Sequence, residues 1–212
     1  MLLVALTGGI ASGKSVAAKI LEKRGCYIHC ADKIAHKLME PGKPACEKII
    51  SHFGEKILNS DKTIDRAQLG AIAFSNEKER IFLNKVLHPL VLEERKKIIF
   101  TLEKEGRHKI FVSEAALTIE SGFADYFDKI IVVYCKKEVQ IKRLMKRDKT
   151  SRQEAMKKMR SQMSSEEKLN YADYIIDTSG SLRKTKEQTE QVFKRLIADY
   201  KQKCLKEKSL QE

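Results

Sequence analysis

Apolar residues along this 212-residue chain fall into two patterns. Short runs rich in β-branched side chains recur at LLVALT (2–7), KIFVSE (109–114), KIIVVYC (129–135) and DYIID (173–177), with a weaker run at CYIHC (26–30). Longer stretches between them carry apolar residues at helical spacing, as in Val16 to Lys23 and Val139 to Arg147. A strand that is apolar at nearly every position has two faces to bury, which predicts a parallel sheet covered by helices on both sides. Residues 33–105 differ. They place Ile49, Ile50 and Phe53, then Leu83, Val86, Leu87 and Leu90, at helical intervals with almost no strand signal. The tail after Leu182 spaces Val192, Leu196 and Tyr200 as one amphipathic helix with a charged, fraying end. The pattern predicts a single α/β domain. Its core spans about 1–32, 106–139 and 163–212, with a helical insert over about 33–105 and a basic excursion over about 140–162.

Composition narrows the class. With 3 Pro and 10 Gly the chain is neither disordered nor collagen-like. No apolar run approaches the ~18–20 residues of a membrane span, and MLLVALTGGI reads as a strand rather than a leader. Five cysteines (Cys26, Cys30, Cys46, Cys135, Cys204), odd in number and without zinc spacing, argue for a reduced, cytoplasmic protein. The net charge of +13 is concentrated, because residues 136–160 hold 11 basic and 3 acidic groups. Such a segment suits a polyanion, either nucleic acid or nucleotide phosphate, or else a solvated lysine-rich helix. It lacks the interleaved aromatics on which single-strand binders stack bases; only Tyr134 is near.

The strongest local signal is Gly8-Gly9-Ile10-Ala11-Ser12-Gly13-Lys14-Ser15, which satisfies G-x-x-x-x-G-K-[ST] between a strand and a helix. Its glycines let backbone N–H groups converge on phosphate oxygens at a helix N-terminus. Lys14 is placed to reach the β- and γ-phosphates, and the Ser15 hydroxyl to ligate Mg²⁺. No D-x-x-G and N-K-x-D pair of a GTPase stands where it would be needed, and the third strand ends Val112-Ser113-Glu114 rather than in the Asp of a motor. Ala31-Asp32 follows the weak second strand, at the end of the sheet where doubly wound folds bind ligands. A carboxylate there can take the proton of an attacking hydroxyl and help hold the metal, or merely cap a helix.

Taken in order, several segments resemble the dephospho-CoA kinase family. They are Leu6-Thr7-Gly8-Gly9-Ile10 through Gly13-Lys14-Ser15, Ala31-Asp32-x-Ile34-Ala35-His36, Leu87-His88-Pro89 and Glu120-Ser121-Gly122. Phe127-Asp128-Lys129, Gln140-x-x-Arg143-Leu144-x-x-Arg147-Asp148, Gln162 and Ala172-Asp173-Tyr174-x-Ile176-Asp177 with Ser179-Gly180 complete the set over about residues 1–185. The resemblance implies a P-loop kinase fold: a five-stranded parallel sheet flanked by helices, a helical CoA-binding insert and an arginine-bearing lid over about 140–162. It implies ATP phosphates at Ala11 to Val16 (Ala11, Ser12, Gly13, Lys14, Ser15, Val16) beside Gly8 and Gly9, and Asp32 as base or acceptor-side partner. Arg143 and Arg147 fall in the lid, His88 and Glu120 on the substrate side, and Ser179-Gly180 near the adenine. Mg²⁺ is expected at Ser15 and Asp32.

The chain departs from the family at several of these places. Ala11 stands where Gly is usual, Val16 where Thr is usual, Cys30 where Asp is expected and Thr178 where Asn is expected. Ala116-Leu117-Thr118-Ile119-Glu120 replaces Pro-Leu-Leu-Phe-Glu. The expectation is an active, diverged kinase that moves the γ-phosphoryl of ATP to the 3′-hydroxyl of dephospho-CoA, as a monomer, with weak self-association left open, and with no nucleic-acid or membrane partner. Another small-molecule or nucleotide P-loop kinase is the first alternative, and a nucleic-acid-binding ATPase the second. Arg143 and Arg147, four residues apart on one helical face, are expected to point together at one phosphate cluster, with Arg147 contributing more. Residues about 140–162 are expected to close on bound nucleotide. His88 could instead start a helix, Glu120 could be a surface ion-pair partner, and Cys30 and Cys135 read as packed thiols.

Overall fold

The computed structural model describes residues 1–209. Five strands, β1 (Leu2–Thr7), β2 (Tyr27–Cys30), β3 (Ile110–Glu114), β4 (Lys129–Tyr134) and β5 (Tyr174–Asp177), form one sheet in the order β2-β3-β1-β4-β5. β1 runs parallel to both β3 and β4, and β4 runs parallel to β5. The first strand of the chain is therefore the central one. Its register sets Leu2 against Ile110 and Val4 against Lys129.

Both faces of these strands are used, as their unbroken apolar runs require. Leu2, Val4 and Leu6 of β1 join Ile131 and Val133 of β4 on one face. There α1 (Lys14–Lys23) contributes Ala17, Ala18 and Leu21, and α9 (Leu182–Ser209) contributes Val192 and Leu196. Ala5, Ile130 and Val132 point the other way, against Phe127, Leu169 and Ala172. The basic segment folds as α6 (Lys137–Asp148) and α7 (Arg152–Arg160), and α8 (Ser165–Leu169) follows. Ser151 caps α7 in a reciprocal arrangement with Glu154, which is why the charged run Arg152–Arg160 is helical. Hydrogen bonds from Thr150 and Ser151 hold the Glu154 carboxyl down at about 2.

The chain divides into two compact units, residues 1–29 with 102–212 and residues 30–101. The second unit contains α2 (Ala31–Leu38), α3 (Pro44–Phe53), a 3₁₀ turn (Glu55–Ile57), α4 (Arg66–Ser75) and most of α5 (Glu77–Glu105). Its own core gathers Cys46, Ile49, Phe53, Ile57, Ile64, Leu69 and Leu83. Asp65 starts α4 by accepting from the Ala67 and Gln68 N–H groups. No helix among the described residues is long and apolar enough to cross a membrane.

Candidate active site

The phosphate loop links β1 to α1. Gly8 is glycine of necessity, since a Cβ there would lie 2.4 Å from the Val133 carbonyl oxygen, at φ +149°. Gly13 is the N-cap of α1, so the helix opens with Lys14 and aims its first N–H groups at the loop. The Lys14 ammonium folds back across the loop and donates to the Gly8 and Gly9 carbonyls at 3.0 and 3.1 Å. Ser15 and Val16 are exposed on the first turn of α1, whereas Ser12 is fully buried and its hydroxyl has no hydrogen-bond partner among the described residues. Ala11, in the place the resemblance gives to glycine, has φ +57°, a left-handed conformation that costs an alanine roughly 1 kcal/mol.

Arg143 and Arg147 do not converge. Arg143 turns inward: its guanidinium donates to Thr178 Oγ1 at 3.0 Å, to the Thr178 carbonyl at 2.6 Å and to Cys135 Sγ at 3.4 Å. The Thr178 hydroxyl in turn bonds the Ser12 carbonyl. Arg143 thus reaches the phosphate loop through Thr178. Arg147 stays exposed and pairs with its neighbour Asp148 at 2.8 Å, a carboxylate that Lys158 also contacts at 2.6 Å. That double pairing holds the Asp148 carboxyl below its usual range; its hydrogen bond from Arg147 is the largest cause. Equivalent spacing along α6 did not mean equivalent partners, because the inner of the two residues meets the carboxyl ends of β4 and β5.

Glu120 has both oxygens on Lys168 Nζ, at 2.7 and 2.8 Å, and also accepts from the Met163 N–H at 3.1 Å. Lys168 is entirely buried and donates a further bond to the Ala116 carbonyl at 2.7 Å. Burial lowers its pKa, against the opposing pull of Glu120. Nothing in Ser-Ser-Glu-Glu-Lys-Leu distinguishes this lysine from a surface one. The Ser179 hydroxyl accepts from the Lys136 N–H at 2.8 Å, and its own N–H donates to Asp177 at 2.8 Å, which shapes the turn through Gly180 into α9.

In the unit of residues 30–101, Asp32 is exposed in the first turn of α2, with Cys30 as the N-cap. Cys30 is only half-buried, unlike the fully buried Cys135, so the packed-thiol reading holds for Cys135 alone. His36, one turn beyond Asp32, meets Arg66 at 2.9 Å, and its pKa is lowered by burial and by that guanidinium. His88 does not start a helix. It lies half-buried inside α5, which begins at Glu77 and runs through Pro89. Burial and the nearby Arg95 lower its pKa.

Comparison with known proteins decides the family. The family model described as dephospho-CoA kinase matches residues 2–184. The chain belongs to the dephospho-CoA kinase family. A dephospho-CoA kinase of Carboxydothermus hydrogenoformans is 46% identical, over 88% of this chain and 90% of that protein. One from Halalkalibacterium halodurans is 41% identical, over 92% and 96%. Among solved structures, the dephospho-CoA kinase of Campylobacter jejuni superposes with a TM-score of 0.65 at 35% identity, over 92% of this chain and 96% of that one. A Thermus thermophilus protein reaches 0.76 at 25% identity, over 93% and 97%. A shikimate kinase of Acinetobacter baumannii, at 0.53 and 16% identity over 94% of each chain, shares the fold. Dephospho-CoA kinases use ATP to phosphorylate the ribose 3′-hydroxyl of dephospho-CoA, the last step of coenzyme A biosynthesis.

Proposed function

We propose that in this reaction residues 8–16 cradle the ATP phosphates, Lys14 follows the transferring phosphoryl, and Asp32 accepts the proton of the attacking 3′-hydroxyl. The observation that carries this is the loop itself: a helix N-terminus, a glycine pressed on Val133, and a lysine ammonium poised over the carbonyls of Gly8 and Gly9. On binding ATP that ammonium exchanges carbonyl partners for β- and γ-phosphate oxygens. Phosphoryl transfer asks little more of a protein than alignment and charge neutralisation.

Arg147, exposed and tied to the neighbouring Asp148 carboxylate, supplies mobile positive charge from the lid over residues 140–162. Arg143 acts through Thr178 and sets the loop. Ser179-Gly180 flanks the adenine, and His88 belongs to the substrate side of the helical unit, the reading we give residues 33–105. Glu120 serves the reaction by holding Lys168 and residue 163.

The donors present fit Mg²⁺. The exposed Ser15 hydroxyl and Asp32 carboxylate are hard oxygen ligands, and this ion takes one or two such groups from a protein with phosphate and water supplying the rest. When bound, the ion offsets the charge of the β- and γ-phosphates. We read the enzyme as a cytoplasmic monomer whose basic segment faces nucleotide rather than nucleic acid. Filter binding to DNA and RNA at physiological salt checks that reading, with weak binding expected.

The deciding experiment is ADP release with dephospho-CoA set against AMP, CMP, shikimate and pantothenate. Dephospho-CoA is expected to win by a wide margin. A better acceptor among the others leaves a kinase of different specificity.

A further inference from the structure

Ile10 stands at the outer turn of the phosphate loop, and side chains from far along the chain hold both of its backbone polar groups. Its N–H donates to Gln162 Oε1 at 2.9 Å, and its carbonyl accepts from Gln140 Nε2. Gln140 is buried, and its other amide atom, Oε1, accepts from Ser165 Oγ at 3.4 Å, so the amide has one consistent orientation. Gly9 gives this clamp its room, since a Cβ there would sit 2.5 Å from Gln140 Nε2. The side chains of Ile10 and Ala11 pack on Ile141, Leu144 and Ala155 of α6 and α7.

The clamp has a footing of its own. Next to Gln162, the Met163 N–H is fixed by Glu120, which holds Lys168. The Lys168 ammonium bonds the Ala116 carbonyl, and that carbonyl also accepts from Thr7 Oγ1 at 3.2 Å. Thr7 is the residue before Gly8. One continuous set of hydrogen bonds therefore holds the loop at its base and at its crest.

We propose that Gln140 and Gln162 are positioning residues of the kinase: they touch no reacting atom but set the crest of the loop for nucleotide. The inference rests on the reading of residues 8–15 as the ATP cradle. Loop N–H groups converge on phosphate only if the crest peptides keep one orientation. Removing either glutamine leaves a part-buried backbone group unpaired. Ala11 already occupies a costly conformation, so the crest has a nearby route to a different backbone rotation. Helices α6 and α7 thereby govern how well ATP binds, quite apart from any arginine they carry.

The polarity of the two bonds supplies the test, made on the full-length enzyme. Gln162→Met keeps length but removes the acceptor, and should raise the ATP KM roughly tenfold with kcat within about threefold of wild type. Gln162→Glu still offers an acceptor to the Ile10 N–H, whereas Gln140→Glu sets a carboxylate against the Ile10 carbonyl. Both add one negative charge beside the same residue, so their difference reports hydrogen-bond polarity rather than charge. The ATP KM of Gln140→Glu should exceed that of Gln162→Glu roughly tenfold. An unchanged ATP KM in Gln162→Met, or equal values in the two Glu variants, overturns the proposal. Gln162 is half-exposed and its variants should fold; if circular dichroism shows that Gln140→Glu does not, Gln162→Met alone decides. Lys14→Ala is assayed alongside. If it turns over as wild type does, the cradle reading has failed rather than the clamp.

Discussion

The sheet-bearing unit and the helical unit each rest internally on a different kind of contact. Around the phosphate loop the decisive bonds join residues far apart in sequence: Ile10 to Gln162, Thr7 to Ala116, and Thr178 to Ser12. In residues 30–101 the polar contacts span shorter stretches, from Asp65 to Ala67 up to His52 to Glu79 and His36 to Arg66, and an apolar cluster from Cys46 to Leu83 does the rest. Backbone N–H groups that must converge on phosphate need a scaffold fixed from several directions. A unit that presents side chains such as Asp32 and His88 needs only a stable surface to carry them. On this account, changes on the phosphate side should damage nucleotide handling, and changes on the acceptor side should spare it.

The largest expected effect sharpens that division. Lys14→Ala should lower kcat/KM about a hundred- to a thousandfold, with circular dichroism unchanged. A loss below tenfold would mean that the ammonium is not following the phosphoryl group. Asp32→Asn comes next: kcat should fall at least about tenfold while the ATP KM moves little, since the residue acts on the acceptor. An equal rise in ATP KM would erase the distinction between the two units, and an unchanged kcat would reduce Asp32 to a first-turn helix residue.

A third variant moves stability rather than chemistry. Glu120→Ala leaves the fully buried Lys168 ammonium without its carboxylate, which should cost about 3 kcal/mol and lower Tm by about 6–12 °C. Lys168→Met removes the buried charge itself and leaves a carboxylate that still reaches solvent, so it should cost less. If the two melt alike, the ion pair is not what holds residue 163. The smallest effect has the opposite sign. Ala11→Gly relieves the left-handed strain and should stabilise the protein by somewhat under 1 kcal/mol, because glycine's freedom in the unfolded chain offsets part of the gain.

The strands and the phosphate loop were legible in the sequence, because two-faced burial leaves near-continuous apolar runs and the loop's chemistry permits few alternatives. Strand ends differ from the expected ones by at most a residue, as at Ile110 and Tyr134. The site's supporting shell was not legible. Arg143 and Arg147 each follow a lysine on the same helix, and the ends of β4 and β5 make the first of them a part-buried donor to Thr178. Lys168 sits in a polar stretch and is buried by Glu120 and Ala116, residues about fifty positions away. His88-Pro89 looked like a helix start because proline removes a donor, yet α5 carries the residue through its interior. A pattern of apolar positions reports what each element buries; it does not report which polar atoms meet across the fold.

The central position of β1 has a consequence for how the protein is made. This strand leaves the ribosome before either of its partners, because β3 and β4 lie more than 100 residues downstream. At about 5–20 residues per second, the nascent strand waits on the order of 5–20 s before either neighbour exists. Residues 30–101 carry their own apolar core and can gather during that interval, on a chain whose catalytic loop is still unformed. A strand made before its neighbours is enclosed only after them. Slowing elongation between codons 30 and 110 would therefore lengthen the exposure of Leu2–Thr7 to chaperones and to other nascent chains, without altering a single contact of the finished enzyme.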